Sequence, residues 1–197
     1  MVTKGRPKTF KNADVLSKAM ELFWEKGYEA TSLAELLDNM GISKQSMYNT
    51  FGNKHDLFIQ CLELYIASRH EFLEELLFSE KHAETKLDHM IHLMTEMATD
   101  DTKGCFVSFM IQEMAQRDEK VKSLLDNNYS KNFELLKDFF QMSMDKKEIS
   151  STMSSQDLAD LYDSILLSVS SLCKLSNRQD QIKNIFRIFK KSITFNP

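Results

Sequence analysis

Between Gly104 and Pro197 the chain contains neither glycine nor proline. The only other proline is Pro7, and the remaining glycines are Gly5, Gly27, Gly41 and Gly52. A β-sandwich or barrel of 197 residues needs many turns built on those two residues. Their scarcity excludes that class and predicts an all-α chain, because proline is the residue that interrupts helices. With 42% hydrophobic and 27% charged residues, the chain has enough apolar material for a packed core. No run reaches the roughly 18 apolar residues of a membrane span, and the start MVTKGRPKTFKN has no apolar stretch of the secretory kind. Three scattered cysteines, at 61, 105 and 173, suggest neither a disulfide framework nor a metal site. These features read as a cytoplasmic, reduced protein with no membrane partner and no cofactor.

Helix signals divide the first eighty residues. Asn12 is an N-cap type, Leu16, Ala19, Leu22 and Phe23 follow at helical spacing, and Gly27 supplies a stop. A second helix begins at Thr31-Ser32, with Glu35 at the capping-box distance from Ser32, and ends at Met40-Gly41. Ser43 caps a short third helix ending at Phe51-Gly52, and a long fourth runs from Asn53 to about Phe78. Residues 31–51 thus form helix, tight turn, helix. At about 100° per residue, Met47 and Phe51 point inward from the third helix. Gln45, Ser46 and Asn49 face outward, Lys44 and Tyr48 lie on one flank and Thr50 on the other. Such side chains suit base edges and phosphate oxygens. The net charge is −4, yet Lys4, Arg6, Lys8 and Lys11 precede the first acid, Asp14. A basic arm on a near-neutral module, followed by an acidic body, allows nucleic acid at one end.

Residues from about Phe10 to Tyr65 resemble the DNA-binding domain of TetR-family bacterial transcriptional regulators. Ala19, Leu22, Phe23, Gly27, Tyr28, Thr31, Ser32, Leu36 and the run GISKQSMYNTFGNKHDLF carry the likeness. The resemblance implies an N-terminal helix-turn-helix three-helix domain (1–52), a connecting helix (53–80) and a larger helical ligand-binding and dimerisation domain (81–197). It implies that Thr31 and Ser32 contact phosphates and that Lys44, Gln45 and Ser46 approach bases. Tyr48, Asn49 and Lys54 would grip the backbone, with Ser43 and the arm residues Arg6 and Lys8 completing the DNA-binding set. The face reading and the resemblance differ on Lys44 and Asn49, and both assignments stay open.

Beyond residue 80 the pattern stays helical and shows no catalytic motif. Breaks fall at Asp100–Gly104 and at Gln116–Asp118, and Lys146–Ser155 is a polar connector with Ser155 as the expected cap of the next helix. Residues 87–144 are rich in Met and Phe, which either fill a core or line a deformable cavity. Met94, Phe106, Phe109, Met110, Gln112, Glu113, Tyr129 and Phe133 are the candidate residues for a small apolar or amphipathic effector. His89, His92 and Glu96 could share a face, but no further ligand at metal-site spacing joins them. Cys105 begins an apolar helix, where the dipole favours a thiolate, flanked by Lys103 and opposed by Asp100 and Asp101. Leu161, Ile165, Ser168 and Leu172, with Ile182, Phe186 and Phe189, form two stripes suited to a four-helix homodimer interface. The leading expectation is a homodimeric repressor, not an enzyme, released from a palindromic double-stranded DNA operator by its effector. The alternatives are a Cys105 redox or electrophile sensor, a helical enzyme assembled from distant residues, and a helical adaptor with a vestigial DNA surface.

Overall fold

The computed structural model describes residues 12–97, 104–175 and 177–196. The arm residues Arg6 and Lys8, and Asp100, Asp101 and Lys103 beside Cys105, lie outside the described residues. The described residues form α1 (Asn12–Lys26), α2 (Leu33–Met40), α3 (Lys44–Phe51), α4 (Lys54–Leu77), α5 (Ala83–Met97), α6 (Phe106–Glu113), α7 (Glu119–Asp145), α8 (Ser155–Leu172) and α9 (Gln179–Lys190). Two short strands, β1 (Ile149–Ser150) and β2 (Thr194–Phe195), complete the order. The all-α expectation holds apart from that strand pair. The chain divides into two compact units, Met1–Tyr65 and Ile66–Pro197, with the division inside α4.

In the first unit the helices end where local chemistry stops them. Ser32 accepts from the Glu35 amide at 3.2 Å while Glu35 Oε2 accepts from the Ser32 amide at 2.8 Å, closing the expected capping box. Gly41 ends α2 at φ +67°, where its amide donates to the carbonyls of Leu37 and Asp38. Asn53 Oδ1 accepts from the amides of His55 and Asp56 and so caps α4. Gly52 joins α3 to α4 at φ +87°, with Asp56 so close that an added Cβ would lie 2.5 Å from its Oδ2. Phe23, Leu36, Met47, Leu57, Phe58 and Leu62 are fully buried, one or more from each helix, and form the core of this unit.

The second unit is built around α7 and α8, with α9 packed on α5 and α8, and α6 on α7 and α8. Leu136, Phe139, Phe140, Leu158, Tyr162 and Val169 form its centre with residues of α9. Ile182, Phe186 and Phe189 belong to that core, each at most 2% exposed. The expectation that these three line a dimer surface is therefore corrected: the Tyr162 ring stands 5.4 Å from Phe189 and 6.3 Å from Phe186, so the stripe is spent inside the protomer. The outward apolar residues of α9 are Ile185, half-buried, and Ile188, 55% exposed. On α8, Leu161 and Ser168 are exposed and Ile165 and Leu172 half-buried.

The cap of α8 is Ser154, not Ser155. Asp157 stands three residues after Ser154 and returns its carboxylate to the Ser154 amide at 3.1 Å, whereas Leu158 at the equivalent distance from Ser155 has nothing to offer. The expected polar connector contains β1, which pairs antiparallel with β2 through Ile149–Phe195 and Ser150–Thr194. Lys86 is buried because its ammonium donates to the Leu77 carbonyl at 2.8 Å and lies over the Phe139 ring. Burial holds its pKa below the usual lysine range.

Candidate functional site

α3 is a two-turn helix with one committed face. Met47 and Phe51 are buried, and Ser43 Oγ accepts from the Ser46 amide at 3.1 Å to fix its start. Lys44, Gln45, Tyr48 and Asn49 are exposed, and Ser46 and Thr50 are half-buried. Gln45 Nε2 donates to Asn49 Oδ1 at 3.1 Å, so the two amides are ordered as a pair one turn apart. Lys44 Nζ lies 6.0 Å from the Tyr48 ring centroid, which keeps both on one flank. Lys54 sits with its ammonium 4.3 Å from the Tyr28 ring centroid, and the Tyr28 ring in turn meets Phe58 at a tilt, 4.8 Å between centroids. Tyr28 was legible as part of the family likeness, but its work as a platform for Lys54 follows from the packing of α1 against α4.

Two of the expected phosphate contacts are committed elsewhere. Thr31 has no exposed surface, and its hydroxyl donates to the Gly27 carbonyl at 2.6 Å. Its side chain therefore offers nothing to a phosphate; it closes the turn between α1 and α2. Ser32 is exposed, yet its hydroxyl donates to Glu35 Oε2 at 2.6 Å within the capping box. Lys26 Nζ donates to Glu35 Oε1 at 2.6 Å, and these bonds hold the Glu35 pKa down to about 2.

In the second unit the expected effector residues separate. Phe106 and Met110 are fully buried on the inner face of α6. Phe109 is half-buried, with the Lys174 ammonium 3.2 Å from its ring centroid. Glu113 is half-buried and electrostatically near Lys174. Met94 and Phe133 are half-buried against the core. Gln112 is exposed and donates to Ser171 Oγ at 3.0 Å on the surface, so it does not face the interior as expected. Tyr129 is 43% exposed, stacks on Phe133 at 6.4 Å, and its hydroxyl reaches Asp163. Asp163 went unnoticed in the sequence because one Asp beside Asp160 on an amphipathic helix looks like a solvated face.

His92 Nε2 meets Glu96 Oε1 at 3.1 Å on the exposed side of α5, while His89 packs edge-on against Phe72. Among the described residues no group of three or more His, Cys, Asp or Glu side chains could hold a metal ion. Cys105 is the half-buried N-cap of α6 and makes no side-chain capping bond. Cys61 and Cys173 are buried, which raises both thiol pKa values, that of Cys61 to about 12. No helix among the described residues is long and apolar enough to cross a membrane.

Two short helices joined by a tight turn, the second one capped and presenting polar side chains, followed along the chain by a larger helical unit, define a helix-turn-helix transcriptional regulator. Residues 15–61 match the profile of bacterial regulatory proteins of the tetR family. The HTH-type transcriptional repressor ComR of Escherichia coli is 31% identical over 173 residues, covering 85% of this chain and 81% of ComR. The repressor BdcR of the same organism is 28% identical over 137 residues, covering 66% of this chain and 68% of its own. The chain belongs to the TetR family of DNA-binding transcriptional regulators. Its fold is that of the reduced form of E. coli NemR, with a TM-score of 0.85 at 20% identity over 93% of this chain and 97% of that one. It is also that of CifR, a TetR-family regulator whose cysteine mutant was solved with double-strand operator DNA, with a TM-score of 0.79 at 23% identity over 95% and 99%.

Proposed function

We propose that this protein is a homodimeric repressor that places α3 in the major groove of each half of a two-fold operator. The observation that carries the reading is α3 itself: its apolar face is buried and its outer face holds an ordered Gln45–Asn49 pair beside Lys44 and Tyr48. Gln45 and Asn49 read base edges; Lys44, Tyr48 and Lys54 hold phosphates, with Ser43 and Ser46 at the helix start positioned for the backbone. A regulator acting on DNA in this way works in the cytoplasm. A small molecule bound within the second unit favours a conformation whose two α3 helices no longer match the half-site spacing. The reading needs no catalytic step.

Dimerisation uses the exposed and half-buried outward positions of α8 and α9: Leu161, Ile165, Ser168 and Leu172 with Ile185 and Ile188. The test begins by selecting binding sequences from a pool of random duplexes. A two-fold symmetric sequence should be enriched. Gln45→Ala or Asn49→Ala should then weaken that sequence by about 1–3 kcal/mol and relax preference at one position per half-site. Lys54→Ala should weaken all duplexes alike and make the salt dependence shallower. Enrichment of no symmetric sequence would overturn the reading.

A further inference from the structure

Asp163 lies on α8, and the Tyr129 hydroxyl of α7 donates to its carboxylate. The other relations of that carboxylate are unfavourable. Its Oδ2 is fully buried and has no hydrogen-bond partner among the described residues. Burial is the main cause that raises its pKa, Asp160 adds to it, and the Tyr129 hydroxyl opposes both. Polar groups elsewhere on the inner side of α7 are matched. Asn132 Nδ2 donates to Asn128 Oδ1 at 3.3 Å, and Asn132 Oδ1 meets His70 Nδ1 at 3.0 Å. An unpaired buried acceptor in such company needs a reason.

The surroundings say what would satisfy it. A carboxylate oxygen accepts hydrogen bonds and attracts positive charge, so an anionic or purely apolar ligand gains nothing from it. A lone carboxylate also falls short of a metal site. Tyr129 and Phe133 stack with their planes 12° apart, offering ring faces to an ammonium or an alkyl body. Tyr129 is 43% exposed, so the same side chain touches both solvent and the half-buried carboxylate.

We propose that Asp163 is the recognition point for a small molecule carrying a protonated amine on an apolar body, the ammonium donating to Oδ2 and the body lying along Tyr129 and Phe133. This deepens the ligand-released repressor described above and rests on it, naming the chemical class of the effector.

The test uses the full chain with two probes of equal length, n-decylamine as its ammonium salt and 1-decanol, both below their aggregation limits at pH 7. Binding is read by equilibrium dialysis and by the rise in melting temperature. Decylammonium should bind at least about tenfold more tightly than decanol, the preference a charge-assisted hydrogen bond supplies. Asp163→Asn, which keeps the shape and still accepts from Tyr129, should abolish the preference and leave decanol binding as it was. Tyr129→Phe keeps the ring and leaves the carboxylate wholly to the amine, so the preference should widen; this variant carries the test should Asp163→Asn not fold. Equal binding of both probes to the wild type, or an amine preference that survives Asp163→Asn, overturns the assignment of Asp163 while leaving a ligand-released repressor standing. Failure of both probes to bind overturns the assignment and removes the support for a ligand site in this unit as well.

Discussion

Glu35 joins three devices of the first unit in one carboxylate. It completes the α2 capping box, accepts the Ser32 hydroxyl and pairs with Lys26 of α1. Folding lowers its pKa from 4.5 to about 2, so the unfolded chain takes up the proton first. Its contribution to stability is complete above about pH 4.5 and is lost as the pH falls toward 2. The pair is exposed, so solvent screening keeps the effect small. Acid unfolding followed by circular dichroism should be shallower between those limits in Glu35→Gln than in the wild type, with the variant less stable at pH 7. Parallel curves would show that Glu35 titrates the same in both states. The residue scale also shows what one letter conceals. The family resemblance makes Thr31 a phosphate contact, but the choice between a free hydroxyl and one bonded to the Gly27 carbonyl depends on where α1 ends in space. Asp163 is the opposite case: only the approach of α7 turns an ordinary helical acid into a half-buried carboxylate with one oxygen bonded and the other buried without a partner.

At the scale of elements, local chemistry was readable and tertiary choice was not. Ser32, Ser43 and Asn53 cap their helices because each bonds an amide two or three residues away, a relation contained in the sequence itself. The inward face of α3 was equally readable, since Met47 and Phe51 are its only large apolar side chains pointing to one side. The β1–β2 pair was not, because two-residue strands more than forty positions apart carry no periodic signal. α9 has two apolar stripes at helical spacing, Ile182–Phe186–Phe189 and Ile185–Ile188, and periodicity cannot say which meets α5 and α8. Packing gave the core to the bulkier stripe. Ile188→Glu should therefore yield a folded monomer by sedimentation with weakened operator binding, because half-sites are read jointly. Phe186→Glu should instead lower stability by several kcal/mol, since it buries an unpaired charge among Tyr162 and its neighbours. Dimers that persist in Ile188→Glu would move the interface off α9.

For the molecule as a whole, the element that joins the two units is α4, whose 24 residues begin in the first unit and end in the second. A ligand in the second unit can alter DNA affinity only by the difference in its affinity for the two conformations. The coupling must also be reciprocal: the factor by which the ligand weakens operator binding is the factor by which operator weakens ligand binding. If α4 transmits that factor, loosening its helix near the division should reduce both effects equally and leave each binding event intact. Ala67 and Glu71 are exposed on α4 just past the division, so replacing both by glycine removes no buried contact. Each change weakens the helix by about 0.5–1 kcal/mol. In the double variant, operator affinity without ligand and the ligand-induced rise in melting temperature should stay near wild type. The ratio of operator affinities without and with the alkyl probe that binds should shrink, and the ratio of probe affinities without and with operator should shrink by the same factor. An unchanged ratio in both directions would mean that α4 carries the chain from one unit to the next without carrying the signal.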